Sequence, residues 1–267
     1  MKSKNHKFSE VRKNLTQLDE NEINIQIFYK NESVISRLIG LYSIDINGFN
    51  FRIPLRFCDY EGRFPSLASA VRFPFILLGY VINKLTNTYI MKSPKPFIVV
   101  DAVKFIEKRI SKGTKVLEVG AGNSTLWFLG KGCDVTSVEH DEIWAKEILS
   151  RADSSTSVLG GALVIEKRQG NEALTFLNSL NQKYDVILVD CMNAYTSRYE
   201  VMKIVRQKLN PNGILVLDNS DGPVNWKAVD LMGASNVRVF TGYAYNCPFV
   251  CQTRIWDANG MTFSDCH

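Results

Sequence analysis

The residues best suited to chemistry lie in one stretch, KVLEVGAGNSTLWFLGKGCDVTSVEH, residues 115–140. Gly120 and Gly122 follow an apolar run, and a glycine turn between a strand and a helix lets backbone N–H groups approach an anionic or polar ligand. A dinucleotide-binding loop has the pattern G-x-G-x-x-G, but here Thr125 stands where the third glycine belongs. The loop therefore predicts a nucleotide-type cofactor and makes a nicotinamide dinucleotide the weaker candidate.

Two glutamates flank the glycine turn and narrow the choice of cofactor. Glu118 lies two residues before Gly120; a carboxylate there would repel a pyrophosphate but would suit a cofactor with a positive charge. S-adenosyl-L-methionine has an ammonium and a sulfonium and no phosphate. Glu139 ends the next apolar run, where an acid can accept hydrogen bonds from both ribose hydroxyls. We therefore expect S-adenosyl-L-methionine as the cofactor.

Polar residues also follow two later apolar runs. Asp190 comes after YDVILV, and the pair Asp218-Asn219 comes after GILVL. Methyl transfer needs an acceptor held in line with the leaving group, and Asp190 is the candidate catalytic residue at that place. Oxygen ligands from Asp190, Asp218 and Asn219 could converge on Mg²⁺ or another divalent cation. The alternative is that Asp190 only borders the cofactor and that Asp218-Asn219 belongs to a capping turn.

The elements that must position these residues follow a regular alternation from about residue 97. Short β-branched runs alternate with helical stretches, which is typical of a parallel sheet flanked by helices. Pro211–Gly213 is predicted to be a turn that starts the fifth strand. Strands are predicted at 115–119, 134–139, 162–167, 184–190 and 213–218, and helices at 99–111, 124–130, 141–150, 171–180 and 197–209.

Both ends of the chain differ from this alternation. The runs 237–244 and 250–257 are too close for a parallel crossover, so we expect an antiparallel C-terminal hairpin. Near the start, residues 41–57 predict another hairpin around Asn47-Gly48, and 73–82 predicts a buried or partner-facing helix. We place a boundary near residue 95, which makes residues 1–95 a cap or dimerisation segment with α+β character and 96–267 the cofactor-binding domain.

Composition excludes several classes of protein. The 267 residues are 45% hydrophobic, and the net charge of +5 is dispersed except in the opening MKSKNHK, so nucleic acid is not an expected partner. No apolar segment follows the basic start, so we expect a cytoplasmic location. The most apolar segment, 73–82, is too short for stable membrane insertion. Six cysteines without a CxxC pair indicate neither a disulfide framework nor a zinc site.

Four segments resemble the successive motifs of class I S-adenosylmethionine-dependent methyltransferases: E-V-G-A-G-N-S, V-E-H-D, Y-D-V-I-L-V-D and L-N-P-N-G-I-L-V-L-D-N. The resemblance spans about residues 97–257 and implies a doubly wound, mostly parallel, seven-stranded Rossmann-like α/β sheet. Ser124 replaces a frequent glycine of the family, with helix N-capping as its alternative role, and Asn171 replaces a common aspartate. The resemblance implies a cofactor site made of Glu118, Gly120, Ala121, Gly122, Ser124, Glu139, His140, Gln169, Gly170, Asn171 and Asp190.

Two further resemblances bear on the metal. An Asp after the fourth strand and an Asp-Asn after the fifth resemble the metal-dependent O-methyltransferases of the catechol and caffeoyl-CoA type, although Asn193 stands where those enzymes have a lysine. LVLDNSD also looks like a group of bacterial methyltransferases from glycan and secondary-metabolite clusters, in which no metal need be assumed. Both interpretations stay open.

The expected function is therefore methylation of a small-molecule acceptor, at a hydroxyl group, with a homodimer through the N-terminal segment as a further expectation. The N/D-P-P-Y/F motif of enzymes that methylate nucleic-acid bases is not present after the fourth strand. The alternatives are an aminopropyl transferase of the same fold, a non-catalytic cofactor-binding subunit of a complex, and a nicotinamide-dependent oxidoreductase.

Overall fold

The computed structural model describes residues 39–46, 49–86, 94–159, 161–192, 195–245 and 247–259. The strands are β1 (Ile39–Ile46), β2 (Phe49–Arg56), β3 (Lys115–Val119), β4 (Asp134–Glu139), β5 (Leu163–Lys167), β6 (Tyr184–Val189), β7 (Leu209–Leu217), β8 (Val237–Tyr243) and β9 (Val250–Asp257). The helices are α1 (Leu67–Thr86), α2 (Val100–Glu107), α3 (Asn123–Gly130), α4 (Glu142–Leu159), α5 (Gly170–Ser179), α6 (Arg198–Val205) and α7 (Trp226–Met232), with short 3₁₀ turns at Arg206–Lys208 and Pro223–Asn225.

Seven strands form one sheet in the order β5-β4-β3-β6-β7-β9-β8. The pairs from β5 through β7 are parallel, and β9 is antiparallel to both β7 and β8. Alternate residues of the central strands pack into two different hydrophobic clusters, one that contains Val116 and Val186 and one that contains Leu117 and Ile187, as expected for a sheet covered on both faces. The predicted doubly wound, seven-stranded fold with a C-terminal antiparallel hairpin is confirmed.

The start of β7 was predicted wrongly. Residues 211–213 were expected to form a turn, but the strand already begins at Leu209, which pairs with Tyr184 before the register shifts to Val186–Ile214. The residues between Leu209 and Ile214 therefore form a bulge inside the strand, where a proline without an N–H is tolerated. The short helix α7 was also not predicted, whereas α4 is longer than expected.

The N-terminal hairpin is confirmed, since β1 and β2 pair antiparallel from Ile39–Arg56 to Ile46–Phe49. Its predicted turn residues, Asn47 and Gly48, lie outside the described residues, as does Asn193. Helix α1 contains the predicted segment 73–82 and packs against β8. Its other face exposes apolar side chains at near-helical spacing, namely Leu67, Val71, Phe75, Leu78 and Ile82. None of the helices in the described part of the chain has the length and apolar character that a membrane crossing requires.

A buried polar network joins the segment after β2 to the sheet. The Arg56 guanidinium donates to the Val250 carbonyl at 2.6 Å and forms an ion pair with Asp221 at 3.2 Å. The Gln252 amide donates to Asp59 Oδ2 at 2.8 Å, and both partners are fully buried. Arg254 of β9 pairs with Leu217 at the carboxyl end of β7, and the strands are antiparallel, so the β9 residues before Arg254 lie beyond that end. This network therefore lies at the edge of the sheet where the parallel strands end.

Candidate cofactor and acceptor site

The two glycines of the loop after β3 have different tasks. Gly120 has φ +102°, and a Cβ atom there would lie 2.6 Å from the Asp190 carbonyl oxygen, so only glycine allows the tips of β3 and β6 to pack this closely. Gly122 is extended at the start of α3, and the nearest atom to a Cβ there is Ser124 Oγ at 4.0 Å. Gly120 therefore serves the fold, whereas Gly122 leaves open space in front of the helix.

Glu118 lies beneath this loop and is fully buried. Its Oε2 accepts hydrogen bonds from Thr125 Oγ1 and, at 3.4 Å, from Ser137 Oγ, whereas Oε1 has no hydrogen-bond partner in the part of the chain that the structure describes. Burial raises the pKa of this carboxyl from 4.5 to about 8, against the opposing hydroxyls of Ser124, Thr125 and Ser137. A buried carboxyl with one oxygen left unpartnered can bind a cation or a hydrogen-bond donor.

Two neighbours of Glu118 were not predicted as site residues. The Thr125 hydroxyl accepts the Gly122 N–H at 2.9 Å while it donates to Glu118, so the residue in the third-glycine position clamps the acid to the loop. Asn123 is 3% exposed, and among the residues described neither its Oδ1 nor its Nδ2 has a hydrogen-bond partner. The position of Asn123 directly after G-A-G was the available sequence signal. Gly122, not Ser124, is the N-cap of α3.

Glu139 contrasts with Glu118 because its carboxylate already has several donors. Its Oε2 accepts the Ala121 N–H at 2.8 Å, and its Oε1 accepts the N–H groups of His140 and Asp141, both at 2.9 Å. His140 Nδ1 also lies 2.8 Å from Oε1. Glu139 is 3% exposed. It holds the glycine loop against the tip of β4, a role that the sequence did not predict.

The residues predicted to border the adenine lie in segments that follow β4 and β5, and a segment after β6 contacts them. The Gly170 N–H donates to the Tyr195 carbonyl at 2.8 Å and to Thr196 Oγ1 at 3.1 Å. The His140 ring stacks on Tyr195 with centroids 4.1 Å apart. Gln169 and Asn171 flank Gly170 and are exposed. The structure therefore places His140 and the 169–171 segment around one aromatic contact, and Tyr195 is an unpredicted member of it.

The tips of β6 and β7 are joined by Arg198, which the sequence did not indicate. Arg198 is 6% exposed. Its guanidinium donates to the carbonyls of Cys191 and Asp218, both at 2.6 Å, and to Asp190 Oδ1 at 2.9 Å. Burial raises the pKa of the Asp190 and Asp218 carboxyls, and the Arg198 charge opposes both shifts.

The expected metal ligands do not form an open set of oxygens. Asp218 is 2% exposed, and its Oδ1 accepts a hydrogen bond from Thr253 Oγ1 at 2.6 Å. The backbone carbonyl of Asn219 accepts hydrogen bonds from the Gly222 N–H and from Asn225 Nδ2, both at 2.9 Å. This arrangement agrees with the alternative prediction that Asp218-Asn219 belongs to a capping turn. Within the described ranges no group of three His, Cys, Asp or Glu side chains is arranged to hold a metal ion. Because one oxygen of Asp190 and one of Asp218 are already engaged, these side chains as arranged do not form a magnesium site.

Comparison with known protein families finds a match to part of this chain. Residues 117–220 match the family model described as "Methyltransferase domain". Comparison with curated proteins finds no match. The match runs from Leu117 in β3 to the turn after β7, and it includes the glycine loop, Glu139, Asp190 and Asp218.

Three solved structures show weak likeness to the chain. A methyltransferase from Thiobacillus denitrificans in complex with S-adenosyl-L-homocysteine has 14% identity and TM-score 0.37 over 52% of this chain and 54% of that one. Spermidine synthase has 12% identity and TM-score 0.41 over 55% and 54%. The O-methyltransferase TomG from Streptomyces achromogenes, in complex with its cofactor, has 14% identity and TM-score 0.44 over 69% and 89%.

The chain thus spans about half the length of the first two proteins, each covered to 54%. At such identities the likeness concerns the fold and does not establish a shared substrate. Residues 117–220 thus match a methyltransferase domain, on a seven-stranded sheet with a glycine loop after its first parallel strand.

Proposed function

We propose that this protein transfers a methyl group from S-adenosyl-L-methionine to a hydroxyl group of a small molecule. The observation that carries the proposal is the pair of unpartnered buried groups at the glycine loop, Glu118 Oε1 and the Asn123 amide. A fold that leaves buried polar atoms without partners bears a cost of about 1–3 kcal/mol for each group, and a bound ligand with matching groups removes it.

The residues present fit this cofactor. The ammonium of its amino acid part would meet the ionised Glu118 carboxylate, and its carboxylate and amine are partners for an amide such as Asn123. The open space before Gly122 admits a ligand close to the backbone. We further propose that Glu139 accepts from the ribose hydroxyls and that His140 and the residues Gln169, Gly170 and Asn171 border the adenine.

The acceptor would lie at the tips of β6 and β7. When bound, the cofactor supplies an electrophilic methyl carbon on a positively charged sulfur. Asp190 is the proposed catalytic residue because its side chain is 29% exposed, while its Oδ1 is held by Arg198. A carboxylate in this setting can accept the hydrogen of an acceptor hydroxyl and later take its proton. Arg198 fixes the rotamer from which it does so.

The first test is calorimetric titration of S-adenosyl-L-methionine into the full chain. Glu118→Ala and Glu139→Ala are each expected to weaken binding by about 1.5–3 kcal/mol, the range for hydrogen bonds to charged groups. Glu166→Ala is the matched control, since Glu166 lies on β5 and forms a partly exposed pair with Arg168 at 3.4 Å. Wild-type affinity in both Glu118→Ala and Glu139→Ala would refute the cofactor placement.

The second test separates the alternatives. The chain is incubated with methyl-labelled S-adenosyl-L-methionine and a panel of small phenols, catechols and sugars, and labelled products are extracted. Methyl transfer by the isolated chain would exclude a non-catalytic subunit. Binding of NADH without S-adenosyl-L-methionine would favour an oxidoreductase, and transfer only from the decarboxylated cofactor to a polyamine would favour an aminopropyl transferase.

We also propose a homodimer through the N-terminal segment. The exposed stripe of α1 supports it, because Leu67 to Ile82 span about 22 Å at 1.5 Å per residue and the same stripe can pair with itself about a two-fold axis. Phe75, which is 76% exposed, is the test position. Phe75→Glu should convert a dimer to a monomer in analytical ultracentrifugation, whereas Lys108→Glu, at the exposed end of α2, should not. A monomeric wild-type chain at micromolar concentration would refute the proposal.

A further inference from the structure

Arg198 occupies an unusual place for an arginine. It is the first residue of α6, it is buried, and its guanidinium lies between the ends of two neighbouring parallel strands. Its contacts reach the Cys191 and Asp218 carbonyls and the Asp190 carboxylate within 2.9 Å. A planar fork with five donors can hold several acceptors at fixed angles, which an ammonium cannot. One side chain thus fixes both strand ends.

The charge of Arg198 matters as much as its geometry. Asp190 and Asp218 follow adjacent strands, and the negative charge of Asp190 disfavours ionisation of Asp218. Because Asp218 is buried and Asp190 is only partly exposed, a cation beside them favours the ionised form of both carboxyls. A divalent ion could supply this charge in principle, but it would need the Asp190 oxygen that Arg198 holds and an Asp218 side chain turned away from Thr253. The guanidinium supplies the charge without that rearrangement.

We propose that Arg198 is a positioning residue that fills the cation position between the tips of β6 and β7, so that the acceptor edge takes no divalent metal ion. The inference rests on the proposed function, because it assigns this edge to the acceptor. Arg198 acts through Asp190: it sets the direction of the carboxylate and does not itself contact the reacting atoms.

The probe is Mn²⁺, followed by electron paramagnetic resonance with the full chain and S-adenosyl-L-homocysteine. The wild type is expected to leave the spectrum of free Mn²⁺ unchanged up to about 1 mM. Arg198→Ala should gain one Mn²⁺ site per chain, with affinity at least tenfold above any wild-type binding, because two acids lose their counter-charge. Adding Asp190→Asn to that variant should abolish the new site.

Two variants separate charge from structure. Arg198→Lys keeps a cation and should continue to exclude Mn²⁺, whereas a purely structural role predicts no difference between Lys and Ala. Lys203→Ala removes an exposed cation of the same helix, paired with Glu200 at 3.0 Å, and should behave as wild type. If Arg198→Ala does not fold by circular dichroism, Arg198→Gln replaces it, since it keeps two donors without charge.

Stoichiometric Mn²⁺ binding by the wild type that Asp190→Asn removes would overturn the inference. So would the lack of Mn²⁺ binding in a folded Arg198→Ala or Arg198→Gln. Failure of the proposed function would instead appear as a wild-type chain that does not bind S-adenosyl-L-methionine, a measurement that is independent of Mn²⁺.

Discussion

We name the tips of β3 and β4 the cofactor edge and the tips of β6 and β7 the acceptor edge, after the proposed function. The two edges differ in whether their polar side chains have hydrogen-bond partners. At the cofactor edge, Glu118 Oε1 and the Asn123 amide are buried without partners. At the acceptor edge, Asp190 is paired with Arg198, and Asp218 is bonded to Thr253. Under the proposed function the cofactor supplies the partners that the first edge lacks, whereas the second edge is arranged in advance by the protein's own side chains.

The largest effect is expected from the contact that joins the two edges. Gly120→Ala would place a Cβ atom 2.6 Å from the Asp190 carbonyl oxygen at a positive φ. We expect a loss of about 2–4 kcal/mol in the free energy of unfolding, together with loss of cofactor binding. Urea unfolding followed by circular dichroism measures the first, and calorimetry the second.

Gly122→Ala is the matched control for this prediction. Its Cβ atom would have no neighbour within 3.9 Å, since the nearest is Ser124 Oγ at 4.0 Å. The stability should change by less than about 0.5 kcal/mol, as for a substitution that removes no contact, while a methyl group in the cofactor space should still weaken S-adenosyl-L-methionine binding. Equal loss of stability in the two variants would contradict the division of tasks between the glycines.

Glu118→Gln addresses the charge of the cofactor edge. The variant keeps the shape but cannot carry the negative charge that an ammonium prefers, so S-adenosyl-L-methionine should bind roughly 10- to 100-fold more weakly. In the wild type, affinity should rise between about pH 6 and pH 7.5, because the ionised fraction of the Glu118 carboxyl, whose pKa is raised to about 8, increases with pH. In Glu118→Gln the affinity should be independent of pH over the same range; a parallel rise would assign the titration to another group.

The same carboxyl makes stability depend on pH with a defined sign. Because the pKa of Glu118 is raised from 4.5 to about 8, the folded chain binds one proton more than the unfolded chain between these values. Its contribution is fully present below pH 4.5 and is lost as the pH rises through 8, by at most about 1.4 kcal/mol per pH unit. Comparison of urea unfolding of the wild type and Glu118→Gln at several pH values isolates this contribution.

Asn123→Ala should have a smaller effect. The amide has no hydrogen-bond partner among the described residues, so its removal should leave the stability unchanged or slightly higher. Loss of a hydrogen bond to the ligand should weaken S-adenosyl-L-methionine binding about 3- to 10-fold. A clear drop in the melting temperature would show that Asn123 has a structural partner and would remove it from the cofactor edge.

The smallest effect is expected from Ser124→Ala. The Ser124 hydroxyl is one of the groups that lower the pKa of the Glu118 carboxyl, against the larger effect of burial. Without it the pKa of Glu118 should rise further, and the dependence of binding on pH should move to higher pH, with less than about a threefold loss of affinity at pH 7.5. Ser137→Ala provides the comparison on the neighbouring strand, where the Oγ to Oε2 distance is 3.4 Å.

The sequence predicted the fold through its local patterns. The limits of β3, β4 and β9 agree with KVLEV, DVTSVE and VCQTRIWD. It failed at β7, where Pro-Asn-Gly has the composition of a turn but forms a bulge inside the strand. Turn propensity is local, whereas the pairing of Leu209 with Tyr184 is set by the neighbouring strand.

The sequence could nominate candidate site residues where a polar side chain lies next to a strand end, as for Glu118, Glu139 and Asp190, and their roles stay predictions. Arg198 could not be predicted, because its value depends on the register that brings Cys191, Asp190 and Asp218 to one guanidinium. The two hydrogen bonds of Thr125 could not be predicted for a related reason. The lack of a third glycine argues against a dinucleotide, but it does not show that the Thr125 hydroxyl accepts the Gly122 N–H and donates to Glu118.

The polar network that anchors the segment after β2 has a consequence for the order in which the molecule forms. The Ala121–Glu139 hydrogen bond of the glycine loop closes 18 residues of chain, but the Arg56–Asp221 and Asp59–Gln252 contacts close 165 and 193 residues. Long loops close late in folding because their entropy must be lost before any contact forms. We therefore expect the Ala121 backbone amide to acquire protection in pulse-labelling hydrogen exchange before the Tyr60 backbone amide, which donates to Asp221 Oδ2 at 3.0 Å across 161 residues. The glycine loop should thus form before the segment after β2 is anchored to the sheet.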